Sequence, residues 1–145
     1  MGETRIKNLT DLEAEYFAKY GKGAKNYPYS KTKPVTDFKL EENGYFVRVY
    51  SGESTSSSWI FRIEDLKNYK NVDEIIEKLA LPGKPTKVGL VELPQGITLR
   101  KSYAGHQIWP NGISSQGGGI QYEIIGNLKD EWFRPLFNNI DEFFK

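Results

Sequence analysis

Two polar side chains that can do chemistry lie two residues apart, directly after a glycine triplet. The segment runs Gly117-Gly118-Gly119-Ile120-Gln121-Tyr122-Glu123. Alternation along a strand puts Gln121 and Glu123 on one face, where an amide or carboxylate can hydrogen-bond a ribose hydroxyl. Gly118 and Gly119 lack Cβ, so a ligand can approach their backbone amides. A flexible hairpin loop followed by a solvated strand face is the competing interpretation.

The strongest candidate for an anion contact is Arg48, in the alternating run Tyr45-Phe46-Val47-Arg48-Val49-Tyr50. The alternation predicts that Arg48 shares a strand face with Phe46 and Tyr50. A guanidinium group can hold a pyrophosphate with two hydrogen bonds, and aromatic neighbours exclude water from that contact. The pattern fits a surface arginine equally well. In that case the methylene groups of Arg48 cover apolar surface and its guanidinium stays in water.

A tryptophan and a histidine loop add further candidates. Trp59 begins an aromatic and β-branched segment and could stack on a nicotinamide or adenine ring, although such residues more often belong to the core. His106 is the only histidine and is followed by Gln107. One imidazole cannot form a two-histidine ribonuclease site, but with a Glu or Lys partner it could act as a general base.

The composition narrows the function classes. The 145 residues suit one domain, and 20 Lys and Arg against 19 Asp and Glu provide no basic field for nucleic acid. No cysteine, histidine cluster or calcium-loop spacing is present, so no metal or other cofactor is expected. No apolar run reaches the roughly 18 residues that span a bilayer, so this domain is not expected to insert into a membrane.

The elements that must position these residues follow from caps, periodicity and turn residues. The capping box Thr10-Asp11-Leu12-Glu13 predicts a helix over 11–20, and Asn71 predicts a second over 72–81. Strands are predicted over 45–50 and 59–63, which should pair with each other, and over 120–125. Further strands at 88–93 and 97–103 should form a hairpin around Pro94-Gln95-Gly96.

The chain as a whole is predicted to be a compact α+β domain with a mainly antiparallel twisted sheet. Residues 1–40 are expected to form an N-terminal helix and a linker arm rich in Lys, Gly and Pro. Residues 41–126 should form the core, and residues 127–145 a C-terminal helix over about 136–144 that caps the sheet.

The order of short motifs resembles the tuberculosis necrotizing toxin type of C-terminal domain in bacterial polymorphic toxins. That family hydrolyses NAD⁺ on a scaffold related to ADP-ribosyltransferases. The resemblance covers a little over half the chain, and its most specific element is the glycine triplet with Gln121. The matching positions are Arg48, Trp59, Ala80-Leu81-Pro82, Leu93-Pro94-Gln95-Gly96, Ala104-Gly105-His106-Gln107 and Gly117 to Tyr122.

The resemblance implies a role for each matching residue. Gln121 would occupy the place where transferases keep a catalytic Glu, Arg48 would hold the NAD phosphates, and Trp59 would form a wall beside the nicotinamide. The position before Ala-Leu-Pro holds Leu79 after Lys78 rather than an arginine. The second phosphate contact therefore falls to one of three other cations, Arg100, Arg62 or Lys78.

The resemblance also implies a cellular setting. The domain would be secreted as the C-terminal part of a larger effector and would act in the cytoplasm of a target cell. It would use NAD⁺ or NADP⁺ as substrate without a cofactor. A cognate immunity protein would be its protein partner.

Three other functions stay open. The order Arg48, Ser54-Thr55-Ser56 and Gln121-x-Glu123 follows mono-ADP-ribosyltransferases, although Arg48 and Ser54 are too close in sequence for the separate strands of that family. A ribonuclease toxin would use His106 with a neighbouring Lys or Arg. A binding module without catalysis would need none of these roles.

Overall fold

The computed structural model describes residues 4–22, 27–52, 59–110, 112, 114–126 and 128–145. The architecture is α+β, as predicted, and the strand pairs in this part of the chain are antiparallel. The helices are α1 Leu9–Tyr20, α2 Ile63–Lys67 and α3 Val72–Lys78, with short 3₁₀ turns at Asp130–Trp132 and Ile140–Phe144. The strands are β1 Thr4–Ile6, β2 Thr36–Lys39, β3 Gly44–Tyr50, β4 Trp59–Ile60, β5 Lys87–Leu93, β6 Thr98–Tyr103, β7 Gln107–Ile108, β8 Ser114–Ser115, β9 Ile120–Ile124 and β10 Phe133–Phe137.

The strands form one curved surface with two distinct faces. A five-stranded sheet has the order β1-β2-β6-β9-β4, and a three-stranded sheet has the order β10-β5-β3. An antiparallel bridge between Val47 and Phe61 joins the two sheets at the β4 and β3 edges. The strands β7 and β8 form a separate ribbon. Because Val47 and Phe61 are paired, their side chains point to the same face, and the alternation along β3 matches the alternation along β4.

The inner face of this surface holds one apolar core. Its buried members come from both sheets and are Phe38, Phe46, Ile60, Val91, Leu93, Leu99, Tyr122 and Ile124. Val47 points the opposite way and joins a second core with α2, α3 and the C-terminal turn, which includes Leu66, Ile75 and Phe143. The pleat therefore separates the inward-facing Tyr122 from the outward-facing Gln121.

The predicted N-terminal and mid-chain helices exist, but their ends differ from the prediction. Helix α1 begins after Asn8, whose Oδ1 accepts the Asp11 N–H at 3.0 Å, so this side chain and not Thr10 is the cap. Helix α3 begins at the predicted cap, where Asn71 Oδ1 accepts the Glu74 N–H at 3.0 Å. It ends at Lys78, because Ala80 adopts a left-handed conformation with φ of 52°.

The predicted pairing of neighbouring strands was wrong for one pair and is confirmed only at a single bridge for the other. The strands β5 and β6 form, but they lie in different sheets, because Pro94 to Gly96 carries the chain across and the Gly96 N–H donates to the Leu40 carbonyl at 2.9 Å. The predicted strand over 59–63 ends at Ile60, and Ile63 begins α2. Trp59 and Ile60 pair with β9, and the predicted pairing with β3 is confined to the bridge between Phe61 and Val47.

The predicted C-terminal helix was also wrong. Residues Phe133–Phe137 form strand β10 on the outer edge of β5, and only a 3₁₀ turn follows over Ile140–Phe144. Pro135 cannot donate a backbone hydrogen bond and clashes with a preceding helical turn, whereas an edge strand tolerates it. Phe133 packs over Gly89, where an added Cβ would lie 2.1 Å from its ring.

The predicted linker arm is part of the fold. Thr36–Lys39 is β2, inside the five-stranded sheet, and Tyr29 forms an antiparallel bridge with Ala104. The Ser54-Thr55-Ser56 motif lies outside the described residues. None of the described helices combines the length and apolar character that a membrane-crossing helix needs.

Candidate functional site

Two neighbouring clefts lie on the outer face of β4 and β9, and Pro28 and Trp59 line both of them. The aromatic cleft encloses about 360 Å³, and its walls include Trp59, Phe61, Ala80, Gln107, Trp109 and Gln121. The polar cleft encloses about 400 Å³, and its walls include Tyr16, Lys19, Tyr20, Tyr29, Arg100 and Glu123. The strand register explains this division, since Trp59 pairs with Glu123 and Gln121 lies two residues earlier on the same face.

Gln121 is held in one orientation. Its side chain is buried, and Nε2 donates to the Pro28 carbonyl at 3.0 Å and to Ser102 Oγ at 3.2 Å. A proline carbonyl can only accept, so the nitrogen of the carboxamide must be the atom that faces it. Both N–H groups are thereby used, and Oε1 is left as the acceptor that Gln121 can offer in the aromatic cleft.

Gln107 is anchored in the same way, from the same backbone segment. Its Nε2 donates to the Tyr27 carbonyl at 2.7 Å, which leaves its Oε1 as a second acceptor. Trp109 lines the same cleft, and its Nε1 is buried and has no hydrogen-bond acceptor among the described residues. A ligand between these groups would meet two fixed acceptors, one indole donor and the rings of Trp59 and Phe61.

The segment that carries the two anchoring carbonyls was missed by the sequence analysis. The Gly105 N–H donates to Pro28 O at 3.0 Å, and the Ser30 N–H donates to Tyr103 O at 2.8 Å, so residues 27–30 pair with the end of β6. Residues 27–30 lie within a stretch rich in Lys, Gly and Pro that resembles a linker, and their pairing partners are more than 70 residues away in the sequence. The alternation of Tyr27, Pro28 and Tyr29 was the available signal.

The glycine triplet positions β9 rather than forming a ligand floor. The N–H groups of Gly117 and Gly119 donate to Glu77 O and Lys78 O at 3.0 and 2.8 Å, and that of Gly118 donates to Ala104 O at 2.8 Å. The amides are therefore occupied, contrary to the expectation for Gly118 and Gly119. A Cβ on Gly117 would lie 2.5 Å from Ala104 O. Gly119 packs in the same way against the end of α3, where an added Cβ would lie 2.9 Å from Lys78 O, and Gly118 has a φ of 95° that favours glycine.

The polar cleft contains a chain of hydrogen-bonded ionisable groups. Arg100 donates to both carboxylate oxygens of Asp37, at 2.7 and 3.1 Å, and to Tyr29 Oη at 3.2 Å. Tyr29 in turn donates to Glu123 Oε1. Burial and the negative charge of Glu123 raise the pKa of Tyr29, so it keeps its proton. One oxygen of Glu123 is therefore held, and the carboxylate has a defined orientation in the cleft.

Arg100 is committed to this network. Burial disfavours its charge, but the bonds to Asp37 and Tyr29 outweigh burial and raise the pKa of Arg100. A phosphate would have to compete with a bidentate carboxylate, so Arg100 is a poorer phosphate contact than its position in the cleft suggests.

Arg48 lies on the other face of the curved surface. Val49, its neighbour in β3, lines the aromatic cleft, whereas Arg48 stacks its guanidinium 5.3 Å from the Tyr50 ring centroid and 5.8 Å from that of Phe133. Burial lowers the pKa of Arg48, and 4% of the residue is exposed. The structure therefore does not bring Arg48 and Tyr50 together with Gln121 in one cleft.

The remaining candidates also lie away from the two clefts. His106 is exposed. Arg62 donates to Tyr122 Oη at 3.0 Å and stacks on the rings of the inner core. Among the described residues, no three His, Cys, Asp or Glu side chains are grouped as metal ligands.

Comparisons with protein-family models, with curated proteins and with solved structures found no significant match to this chain. The site must therefore be interpreted from its own geometry.

Proposed function

We propose that this protein is an NAD(P)⁺ glycohydrolase, the effector domain of a bacterial toxin that depletes NAD in the target cell. The observation that carries the proposal is the orientation of Gln121, whose N–H groups are both bonded to the protein while its acceptor is offered to an aromatic cleft. Trp59, Ala80 to Pro82, Gln107 and Gln121, four of the matching motifs, meet in this one cleft.

The aromatic cleft suits nicotinamide in both shape and hydrogen bonding. The flat pyridinium ring would lie between Trp59 and Trp109, whose faces attract a cationic ring. Its carboxamide would donate to Gln107 Oε1 and accept from Trp109 Nε1, which would give this buried donor a partner. Burial of the ring would release ordered water from apolar surface.

The reaction then needs little beyond positioning and electrostatics. The bond between ribose C1′ and the pyridinium nitrogen breaks, and its electron pair stays with the nitrogen, so neutral nicotinamide leaves. Gln121 Oε1 and the Glu123 carboxylate, on one strand face, would accept from the ribose hydroxyls and stabilise the positive charge that develops on the sugar. Water bonds to C1′ and loses a proton, which gives ADP-ribose.

Nicotinamide release by the purified protein tests the proposal. We expect Gln121→Ala to lower kcat about a hundredfold, the usual cost of removing one group that stabilises a transition state. Gln95→Ala is the matched control, since Gln95 is exposed in a loop and lines neither cleft. No release by micromolar wild-type enzyme, or full activity in a folded Gln121→Ala variant, would overturn the proposal.

A mono-ADP-ribosyltransferase is the second candidate, because Tyr29 orients Glu123 where it could activate an acceptor nucleophile. Labelled NAD⁺ would then mark a macromolecule, and Glu123→Gln would reduce transfer more than hydrolysis. A ribonuclease has no comparable support, since His106 is exposed and lines neither cleft. For either NAD-consuming toxin, a cognate immunity protein that covers the two clefts is the expected partner.

A further inference from the structure

We propose that the polar cleft is a separate subsite for adenine, in which Tyr16 and Tyr20 of α1 stack on the base and Lys19 contacts the adjoining phosphate. This inference rests on the proposed function for the identity of the whole substrate, a dinucleotide. Recognition of the second half of that substrate would then fall to the N-terminal helix α1, which lies outside the motifs that resemble the toxin family.

Aromatic rings from α1 and from the sheet line the polar cleft. Tyr16 and Tyr20 are four residues apart on α1, so they lie on one helix face, with ring centroids 4.7 Å apart. Tyr27 supports Tyr16 from behind, with an edge contact at 5.3 Å. Tyr29 and Trp59 face the same cleft from the sheet side. Aromatic residues thus line two sides of the cleft, as an inserted flat base requires.

Tyr20 is largely exposed to water. It is 58% exposed although it lines a cleft, which leaves a large apolar ring in water. Stacking of a nucleobase on such a ring is favourable and does not depend on the identity of the base edge.

Lys19 supplies a positive charge beside these rings. Arg100 is bonded to Asp37 and Tyr29, whereas Lys19 makes no ion pair within the described ranges. Its ammonium lies 5.3 Å from the Tyr20 ring centroid, so the cation and the stacking platform are adjacent. A nucleotide likewise carries a phosphate close to its base, so the base can stack on Tyr20 while the phosphate contacts Lys19.

The polar cleft and the aromatic cleft adjoin each other. Trp59 and Pro28 line both clefts, so a ligand can extend from the aromatic cleft into the polar cleft without leaving the protein surface. If nicotinamide occupies the aromatic cleft, the phosphates and the adenosine half of the dinucleotide extend toward Lys19 and Tyr20 in the polar cleft. Glu123 lies in the polar cleft, close to where the nicotinamide ribose would pass.

Binding of ADP, measured by titration calorimetry, tests the subsite without any turnover. We expect Tyr20→Ala to weaken ADP binding about tenfold, in the range measured for loss of one base-stacking ring, and Tyr20→Phe to keep it. Tyr45→Ala is the matched control, because Tyr45 is 57% exposed on β3 and lines neither cleft. Saturating nicotinamide should leave the ADP affinity unchanged, since it would occupy the aromatic cleft.

The outcomes separate the two proposals. Equal ADP affinity in wild type and Tyr20→Ala, no ADP binding to wild type, or displacement of ADP by nicotinamide overturns the subsite, even if NAD⁺ is hydrolysed. Loss of ADP binding in Tyr20→Ala without any nicotinamide release from NAD⁺ supports the subsite and overturns the glycohydrolase.

Discussion

The carboxamide of Gln121 offers both a donor and an acceptor, whereas a carboxylate at this position could only accept hydrogen bonds. Its nitrogen donates to the Pro28 carbonyl at 3.0 Å and to Ser102 Oγ at 3.2 Å while its oxygen stays available. Two hydrogen bonds to the protein leave the side chain with one orientation, so the acceptor is placed before a ligand arrives. A glutamate would put an acceptor against the Pro28 carbonyl, and two acceptors repel. The choice of Gln over Glu is therefore set by the wall of the cleft.

Replacement of Gln121 by Glu tests this at the residue scale. We expect Gln121→Glu to lower the free energy of unfolding by about 1–3 kcal/mol, the cost of leaving a buried polar group without its partner. Urea unfolding measures the change, and Gln95→Glu, at an exposed loop position, is the control. Equal stability of both variants would mean that the Pro28 contact does not orient residue 121.

Helix α3 and strand β9 are coupled through the glycine triplet. The last carbonyls of the helix, from Glu77 and Lys78, accept from Gly117 and Gly119, which satisfies groups that a helix end leaves without partners. Gln121 follows Gly119 by two residues, so the position of the helix end sets the position of the catalytic candidate. The triplet contributes to the proposed site through backbone packing.

An added methyl group at Gly119 tests this coupling at the scale of the element. A Cβ there would lie 2.7 Å from Leu79 Cδ2 and 2.9 Å from Lys78 O, and a backbone oxygen cannot move aside cheaply. We expect Gly119→Ala to lower the free energy of unfolding by about 1–3 kcal/mol, the usual cost of overpacking. Gly83→Ala, with open space around its Cβ, should change little in the same denaturation experiment. If Gly119→Ala is as stable as Gly83→Ala, the packing argument fails.

Across the whole molecule, the folded state keeps many tyrosines protonated. Burial raises the pKa of Tyr16, Tyr27, Tyr29, Tyr69 and Tyr122 above the ordinary value. Between the unfolded and folded pKa values the folded protein therefore binds more protons than the unfolded chain. By linkage, this contribution to stability is fully present below the unfolded pKa and is lost as the pH rises through the folded pKa values.

Stability should accordingly fall in alkaline solution. We expect the free energy of unfolding to decrease as the pH rises above about 10, the ordinary tyrosine pKa. Denaturant midpoints at a series of pH values from 8 upward, with the released phenolates followed at 295 nm as a check, would measure the loss. Constant stability through that range, or an increase, would contradict the argument.

Local patterns in the sequence determined several parts of the site. Alternation placed Gln121 and Glu123 on one face of β9, and grouped Arg48 with Phe46 and Tyr50 on one face of β3. The Asn71 cap determined the start of α3. These features depend on residues only a few positions apart, and backbone geometry alone settles them.

Only the tertiary structure decided which of these faces meet. Alternation gives the parity of side chains within a strand but not between strands. The bridge between Val47 and Phe61 puts Val49 into the wall of the cleft that Gln121 also lines, and it puts Arg48 on the opposite side. Long-range pairing likewise turned residues 27–30 from an apparent linker into the wall that orients Gln107 and Gln121. Such contacts depend on burial and strand register across the whole chain, which no local pattern contains.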